Sequence, residues 1–302
     1  MSEHEKQPNV GVVDTLTPQI RRILAPNPSP MTYWGTNTYL LGHGDVAVID
    51  PGPLDRTHMR AILAGLAPNE RISHIFVTHA HLDHSPLARP LAQETGAQVY
   101  AFGDAMAGRS PVMRDLVARG LDTGGEGVDH GFSPDVCLKD GAQIDGQNWS
   151  LTALWTPGHM ANHLSFDAQG HVFTGDHVMG WASSLISPPD GDLAAFMASS
   201  RMLAARNDIA YYPGHGAPVH DPAARIEWLM QHRKSREATL LATLKAGAGT
   251  IPDLTKRIYT DTSPALLPAA ERNVFAHLID LETRGILRAT PQLDFSAHFS
   301  LK

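Results

Sequence analysis

Residues 78–84 read THAHLDH, three histidines and an aspartate within seven positions, directly after the apolar run RISHIFV. In an extended segment, side chains two apart point the same way, so His79 and His81 can grip one cation while Ala80 faces away. Asp83 and His84 lie where the chain turns, and their side chains diverge towards a second point. That spacing suits two adjacent metals better than one. Three more positions complete them: His159 in TPGH, Asp176 in TGDH and His215 in PGHG. Seven ligands make two sites with a shared carboxylate. A lone histidine after a strand is ordinarily solvated or capped, and TPGH or PGHG alone could be a turn. HxHxDH as a unit is different, because burying such groups unpaired costs several kcal/mol.

The elements that must carry these residues alternate. Residues 38–41 and 46–49 read as a hairpin ending at Asp50-Pro51-Gly52. A helical period follows over 56–66, then a buried strand over 72–77 that stops where THAHLDH begins. Residues 87–95 read as a helix interrupted by Pro90, and 97–102 as another strand. Residues 103–135 suggest a helix and a mobile Gly-rich loop, LDTGGEGVDHG. Strands are expected at 151–155, 164–166, 171–174 and 209–212, with a helix over 192–205. Polar residues repeatedly fall just past a strand end, the layout of a layered α/β (α+β) fold with its site on one rim. Beyond Pro222 come helices over 223–246 and 252–260, a third closed by Gly285, and a hairpin of 286–289 with 293–295, which suggests a winged-helix module. The expected division is a flexible tail over 1–14, a catalytic domain over 15–222 and a winged-helix-like domain over 223–302.

Cys137 is the single cysteine, which excludes a disulfide framework and thiolate-rich metal sites and leaves the ligands to His and carboxylate. Net charge is −7 and uneven: from Glu227 onward ten basic residues face eight acidic ones, a balance of +2 against −9 for the rest. No apolar stretch is long enough to cross a bilayer, and the first twenty residues lack a basic start before an apolar core. No membrane partner and a cytoplasmic location are the expectations.

THAHLDH, TPGH, TGDH and PGHG resemble, in kind and order, the motifs of the metallo-β-lactamase superfamily of binuclear metal hydrolases. The resemblance spans roughly residues 30–220 and implies a four-layer αβ/βα sandwich with the metals at one edge. It assigns His79, His81 and His159 to the first metal, Asp83, His84 and His215 to the second, and Asp176 to both. Asp50 in VIDPG fits a recurrent family position. Two divalent ions are implied, zinc first, with manganese or iron in relatives. A water bound by both would become the nucleophile, with Asp83 orienting it or taking its proton. His163 and His177 are candidates for supporting donors. One departure is Ser85-Pro86-Leu87, where many relatives carry a small residue and Gly-Gly. The string NVFAHLIDLETRGIL, preceded by DLTKRIY, resembles the winged-helix tail of the lactamase-β-like protein 2 subgroup, in which a member is a single-strand endoribonuclease.

Three substrate readings follow. A small-molecule ester, thioester or lactone hydrolase accords with the acidic catalytic part and with Met179, Trp181, Leu185 and Ile186 as apolar pocket walls. An endoribonuclease acting on RNA would use HRKSR (residues 232–236) on phosphates. In the third, the metals are structural and the tail is either a nucleic-acid-binding element or a dimerisation element, the latter giving a homodimer.

Overall fold

The computed structural model describes residues 6–121 and 127–302. Seven strands form the first sheet in chain order: β1 (Val13–Thr15), β2 (Ile20–Leu24), β3 (Asn37–Leu41), β4 (Asp45–Ile49), β5 (Arg71–Phe76), β6 (Gln98–Ala101) and β7 (Val136–Cys137). The first four pair antiparallel, β1 with β2 and β3 with β4 through short turns and β2 with β3 through a longer loop; β4 to β7 run parallel. Parallel neighbours need crossovers, and α1 (Arg56–Ala64), α2 (Ala88–Thr95) and the stretch holding α3 (Pro111–Ala118) supply them. Asp55 caps α1 by accepting from His58 N. Pro90 does not interrupt α2, as the sequence suggested it would. It lies in the first turn, where a backbone N–H has no intrahelical partner to lose.

The second sheet holds β8 (Gln143–Asp145), β9 (Ser150–Trp155), β10 (Leu164–Ala168), β11 (His171–Gly175) and β12 (Ala210–Pro213), in the spatial order β12-β11-β10-β9-β8. α4 (Leu193–Ala204) makes the crossover between the parallel β11 and β12. Tyr39, Phe76, Phe166 and Phe173 are buried between the two sheets. Each contributes about 2–3 kcal/mol by leaving water. Ile62 and Leu91 cover Val48 and Ile75 on one outer face, and Leu203 and Leu229 cover Val172 on the other. Helices, sheet, sheet and helices make four layers.

After β12 come α5 (Pro222–Ala246), α6 (Ile251–Ile258), α7 (Leu267–Thr283), β13 (Leu287–Thr290) and β14 (His298–Leu301), with the winged helix built on α6, α7 and β13. Thr250 and Asp253 close a capping box at the start of α6. α5 belongs to both halves: Ile226 and Leu229 pack on the sandwich, whereas Leu240 and Leu244 join the C-terminal core with Phe275 and Phe299. Met113 and Leu116 of α3 enter that second core too.

Two expectations are corrected by the strands. The wing's return strand is β14, not 293–295. Leu293 and Phe295 instead fold over the C-terminal core, with Phe295 edge-on to Phe275 at 5.2 Å, so burying the ring outweighed extending the ladder. The first sheet also starts inside the stretch read as a tail: Val10 bridges Leu24, and Val13 and Asp14 pair with β2. Residues 122–126 of the Gly-rich segment lie outside the described residues; Val128, later in the same segment, bridges His81.

Candidate metal centre

All seven predicted side chains reach one rim of the sandwich. The loop after β5 delivers His79, His81, Asp83 and His84; the turn after β9 brings His159; the ends of β11 and β12 bring Asp176 and His215. His81 Nδ1 lies 2.9 Å from His79 Nε2 and 3.1 Å from His159 Nε2. Opposite them, His84 Nε2 is 3.4 Å from both His215 Nε2 and Asp83 Oδ2, and those two are 3.1 Å apart. Asp176 stands between the groups, with Oδ1 3.5 Å from His84 Nε2 and Oδ2 3.7 and 3.4 Å from the Nε2 atoms of His159 and His215. His79, His81 and His159 form one metal-compatible cluster and Asp83, His84 and His215 another, with a third, His79, His84 and Asp176, straddling them.

The chemistry of the donors fits cations. The far ring nitrogens are committed: His84 Nδ1 to Asp50 Oδ2 at 2.9 Å, His159 Nδ1 to Leu185 O at 2.7 Å and His215 Nδ1 to Gly35 O at 3.1 Å. A ring nitrogen facing a carbonyl or carboxylate carries the proton, so in the neutral ring Nε2 presents a bare lone pair to the cluster. Lone pairs converging at these distances repel unless a proton or cation lies between them. Asp176 Oδ1 is buried with no hydrogen-bond partner. Beside it Gly214 keeps space open: a Cβ there would stand 2.5 Å from Asp176 Oδ1 and 2.6 Å from His84 Cε1.

Electrostatics divide the cluster. Burial, reinforced by neighbouring rings, holds His79 well below the ordinary histidine value, and burial takes His81 down to about 3. Burial also lowers His159. For His84 and His215 burial pulls down, but the facing carboxylates of Asp83 and Asp176 more than reverse it, raising His84 well above its usual range and His215 to about 10. Burial pushes Asp83 and Asp176 up, and the facing His84 and His215 rings reverse that, leaving both carboxyls below their ordinary values. The raised rings and lowered carboxyls favour charge pairing between His84, His215 and the two aspartates, and a divalent ion bound there would take the place of those protons.

Asp50 touches the cluster as expected. Its backbone is left-handed at φ 51°, a strained setting for a non-glycine residue, and its carboxylate accepts from His84 Nδ1, Thr78 N (2.7 Å) and Thr78 Oγ1 (2.8 Å). His163 accepts from Asp176 N through Nε2 at 3.3 Å and faces Thr156 Oγ1 through Nδ1. His177 turns away from the cluster, with Nε2 3.2 Å from Ser200 Oγ and its ring on Phe196. Met179, Trp181 and Leu185 line the cleft above the cluster, and Trp181 stacks on Tyr33 at 4.7 Å. Ile186 does not line it; it is fully buried against Leu193 and Phe196. HRKSR does not form a free basic face either. Arg233 is buried against Ser184 O and Asn273, and Arg236 covers the Tyr259 ring. Its helix is needed as a joint between the domains, and Arg233 faces inward.

Sequence reasoning missed the groups that hold the loops. Asn37 Nδ2 donates to Pro213 O and Gly216 O, at 3.0 and 2.8 Å, pinning PGHG to β3. Asp129 accepts from Ser85 Oγ at 2.7 Å, and Ser85 Oγ also lies 3.0 Å from His81 O. The sequence offered no more than a polar pair, Asn37-Thr38, before the apolar Tyr39-Leu40-Leu41; its full burial emerges only in the fold.

The metallo-beta-lactamase superfamily model matches residues 31–229, and a beta-lactamase associated winged helix domain matches 250–293. The chain belongs to the metallo-beta-lactamase superfamily, and it is a hydrolase of that class with an added winged-helix domain. Within it, the chain is similar to the beta-lactamase-like protein 2 homolog of Drosophila melanogaster, 30% identical over 94% of this chain and 95% of that protein. It is also 30% identical to an atrochrysone carboxyl ACP thioesterase of Aspergillus fumigatus, over 79% of this chain and 69% of that one. A beta-lactamase domain protein from Burkholderia ambifaria shares the fold with a TM-score of 0.80 at 19% identity, over 99% of this chain and 96% of that one. Proteins of this fold typically bind divalent metals. Among the described residues, no helix is long and apolar enough to cross a membrane.

Proposed function

We propose that this hydrolase cleaves an ester, thioester or lactone-like bond of a small molecule with two divalent cations, zinc first, with manganese and iron as alternatives. The substrate class rests on one observation, the lining of the cleft of about 660 Å³ above the seven side chains: among the described residues it contains no Lys or Arg. Phosphates are held by cationic side chains, and an RNA would find none in this lining. Met179, Trp181, Leu185 and Leu266 offer apolar surface to an acyl group instead. The thioesterase among the relatives accords with that reading.

In this reading His79, His81 and His159 hold one cation, Asp83, His84 and His215 the other, and Asp176 both. Two such ions supply Lewis acidity to a scissile carbonyl and lower the pKa of a water. The Asp83 carboxylate, 26% exposed at the cleft floor and 3.5 Å from Thr36 Oγ1 through Oδ2, takes up a proton there. Apolar walls exclude competing water from the carbonyl.

The test is a panel of acyl thioesters, lactones, aryl esters and single-stranded RNA with the zinc-loaded protein. Turnover of a carbonyl substrate is expected, falling on the order of a thousandfold in Asp83→Ala and in Asp176→Ala. RNA cleavage at low salt without carbonyl turnover would move the assignment to a nuclease. Variants that lose metal yet keep full activity would sink the two-cation mechanism.

A further inference from the structure

The segment 177–186 leaves the end of β11 immediately after Asp176 and walls the cleft through Met179, Trp181 and Leu185. Side chains of the C-terminal helices hold its backbone. Arg225 of α5 donates through Nε to Met179 O and through Nη2 to Ala182 O, both at 2.7 Å. Arg233, one face along the same helix, donates through Nη2 to Ser184 O and through Nη1 to Asn273 Oδ1 at 3.2 Å. Asn273 Oδ1, from α7, also accepts from Ile186 N at 3.2 Å.

The held segment in turn holds the cluster. Ser184 Oγ lies 2.5 Å from Asp176 O and 2.9 Å from His177 O, its one proton donated between the two carbonyls, and Leu185 O accepts from His159 Nδ1 at 2.7 Å. Arg233 is only 4% exposed, yet no ion pair to it or to Arg225 occurs among the described residues. A buried guanidinium without a carboxylate is costly, and an apolar residue of similar volume would stabilise a plain domain interface at least as well. Apolar contact is already present here, with Ala276 of α7 against Ile186 and Phe196. The arginines add something else: backbone contacts to one loop.

We propose that Arg225 and Arg233 of α5, the helix joining the two domains, and Asn273 of the winged helix are positioning residues that fix the 177–186 loop and thereby orient His159 and the wall facing the substrate. The inference rests on the reading of the seven side chains as cation ligands. It makes the winged-helix domain a support and part of the wall of the active site rather than a separate binding module, and it couples the affinity of the cation site containing His159 to contacts made by α5 and α7.

The test uses the full chain, stripped of metal and titrated with zinc against a competing chelator, alongside hydrogen exchange of residues 177–186. Arg233→Met and Asn273→Ala are compared with Arg206→Met, which breaks ion pairs to Asp167 and Asp208 at the opposite rim of the second sheet. Arg233→Met is expected to weaken one of two zinc sites by about tenfold, leave the other within about twofold, and speed exchange in the loop. If it fails to fold, Asn273→Ala, half-buried on α7, carries the same expectation. A loss of thermal stability like that of Arg206→Met, with both zinc affinities and loop exchange unchanged, overturns the positioning role and leaves the metal reading standing. A wild-type chain that takes up none of zinc, manganese and iron overturns the metal reading, and the inference with it.

Discussion

Gly214 shows how a residue without a side chain can shape a site. Its backbone is not in the left-handed region, so alanine is sterically barred by its neighbours rather than by its torsions: the new Cβ would press on Asp176 Oδ1 and the His84 ring. Gly214→Ala is therefore expected to lower zinc affinity about 10- to 100-fold while costing folding about 1–3 kcal/mol. Chelator competition and urea unfolding check the two numbers separately, and two zinc ions bound at wild-type affinity would refute the idea that this space belongs to the ligands. At this scale the sequence was informative about ligands and silent about their supports. Histidine and aspartate at i, i+2, i+4 and i+5 declare themselves because few other uses suit them. Thr78, Ser184 and Asn37 do not, since each acts by satisfying one or two backbone or ring groups, and nothing in a Ser, Thr or Asn reveals which partner the fold will bring.

The strands and helices that carry these residues were legible wherever their periodicity was clean. β5, β9, β10 and β11 fall where apolar runs predicted them, and the 3.6-residue period located α1. β2 was hidden by its own sequence, IRRIL, whose Arg22 is buried and bonded to Gly216 O and Asp14 rather than solvated. The wing was misplaced because an apolar pair used for packing looks like an apolar pair used in a ladder. β3 gives the element scale its functional meaning: Asn37 N donates to Gly214 O at 2.7 Å, and its side chain holds two further carbonyls of the same loop. Asn37→Leu removes both side-chain bonds and strands those carbonyls in a buried setting. A loss of about 2–4 kcal/mol in urea unfolding is expected, together with weaker zinc binding as His215 loses its fixed position. Unchanged stability and affinity would mean that the backbone ladder alone holds PGHG.

For the molecule as a whole, two buried histidines outside the seven-residue cluster tie folding to pH. His58 lies beneath β3 with Nε2 2.8 Å from Thr38 Oγ1, and burial lowers it to about 4. His277 lies inside α7 with neither ring nitrogen bonded; burial, with Arg233, His232, Arg284 and Arg236 adding to it, lowers it to about 3. In the unfolded chain both return to about 6.5. Both are bases with depressed folded values, so the unfolded chain binds more protons below pH 6.5, and the stability present above that pH is lost as pH falls towards 4 and 3. At pH 5 the loss is on the order of 2 kcal/mol from each. Metal ligands also titrate in this range, so the measurement is a difference: urea unfolding of wild type and of His277→Leu, at pH 7.5 and pH 5, under identical metal conditions. Leucine has no ring to protonate and breaks no hydrogen bond, so the variant should keep about 2 kcal/mol more of its neutral-pH stability at pH 5 than wild type does. Equal losses in the two proteins would show that His277 is already protonated in the folded state. The C-terminal core would then tolerate a charge among four basic neighbours, contrary to what its burial requires.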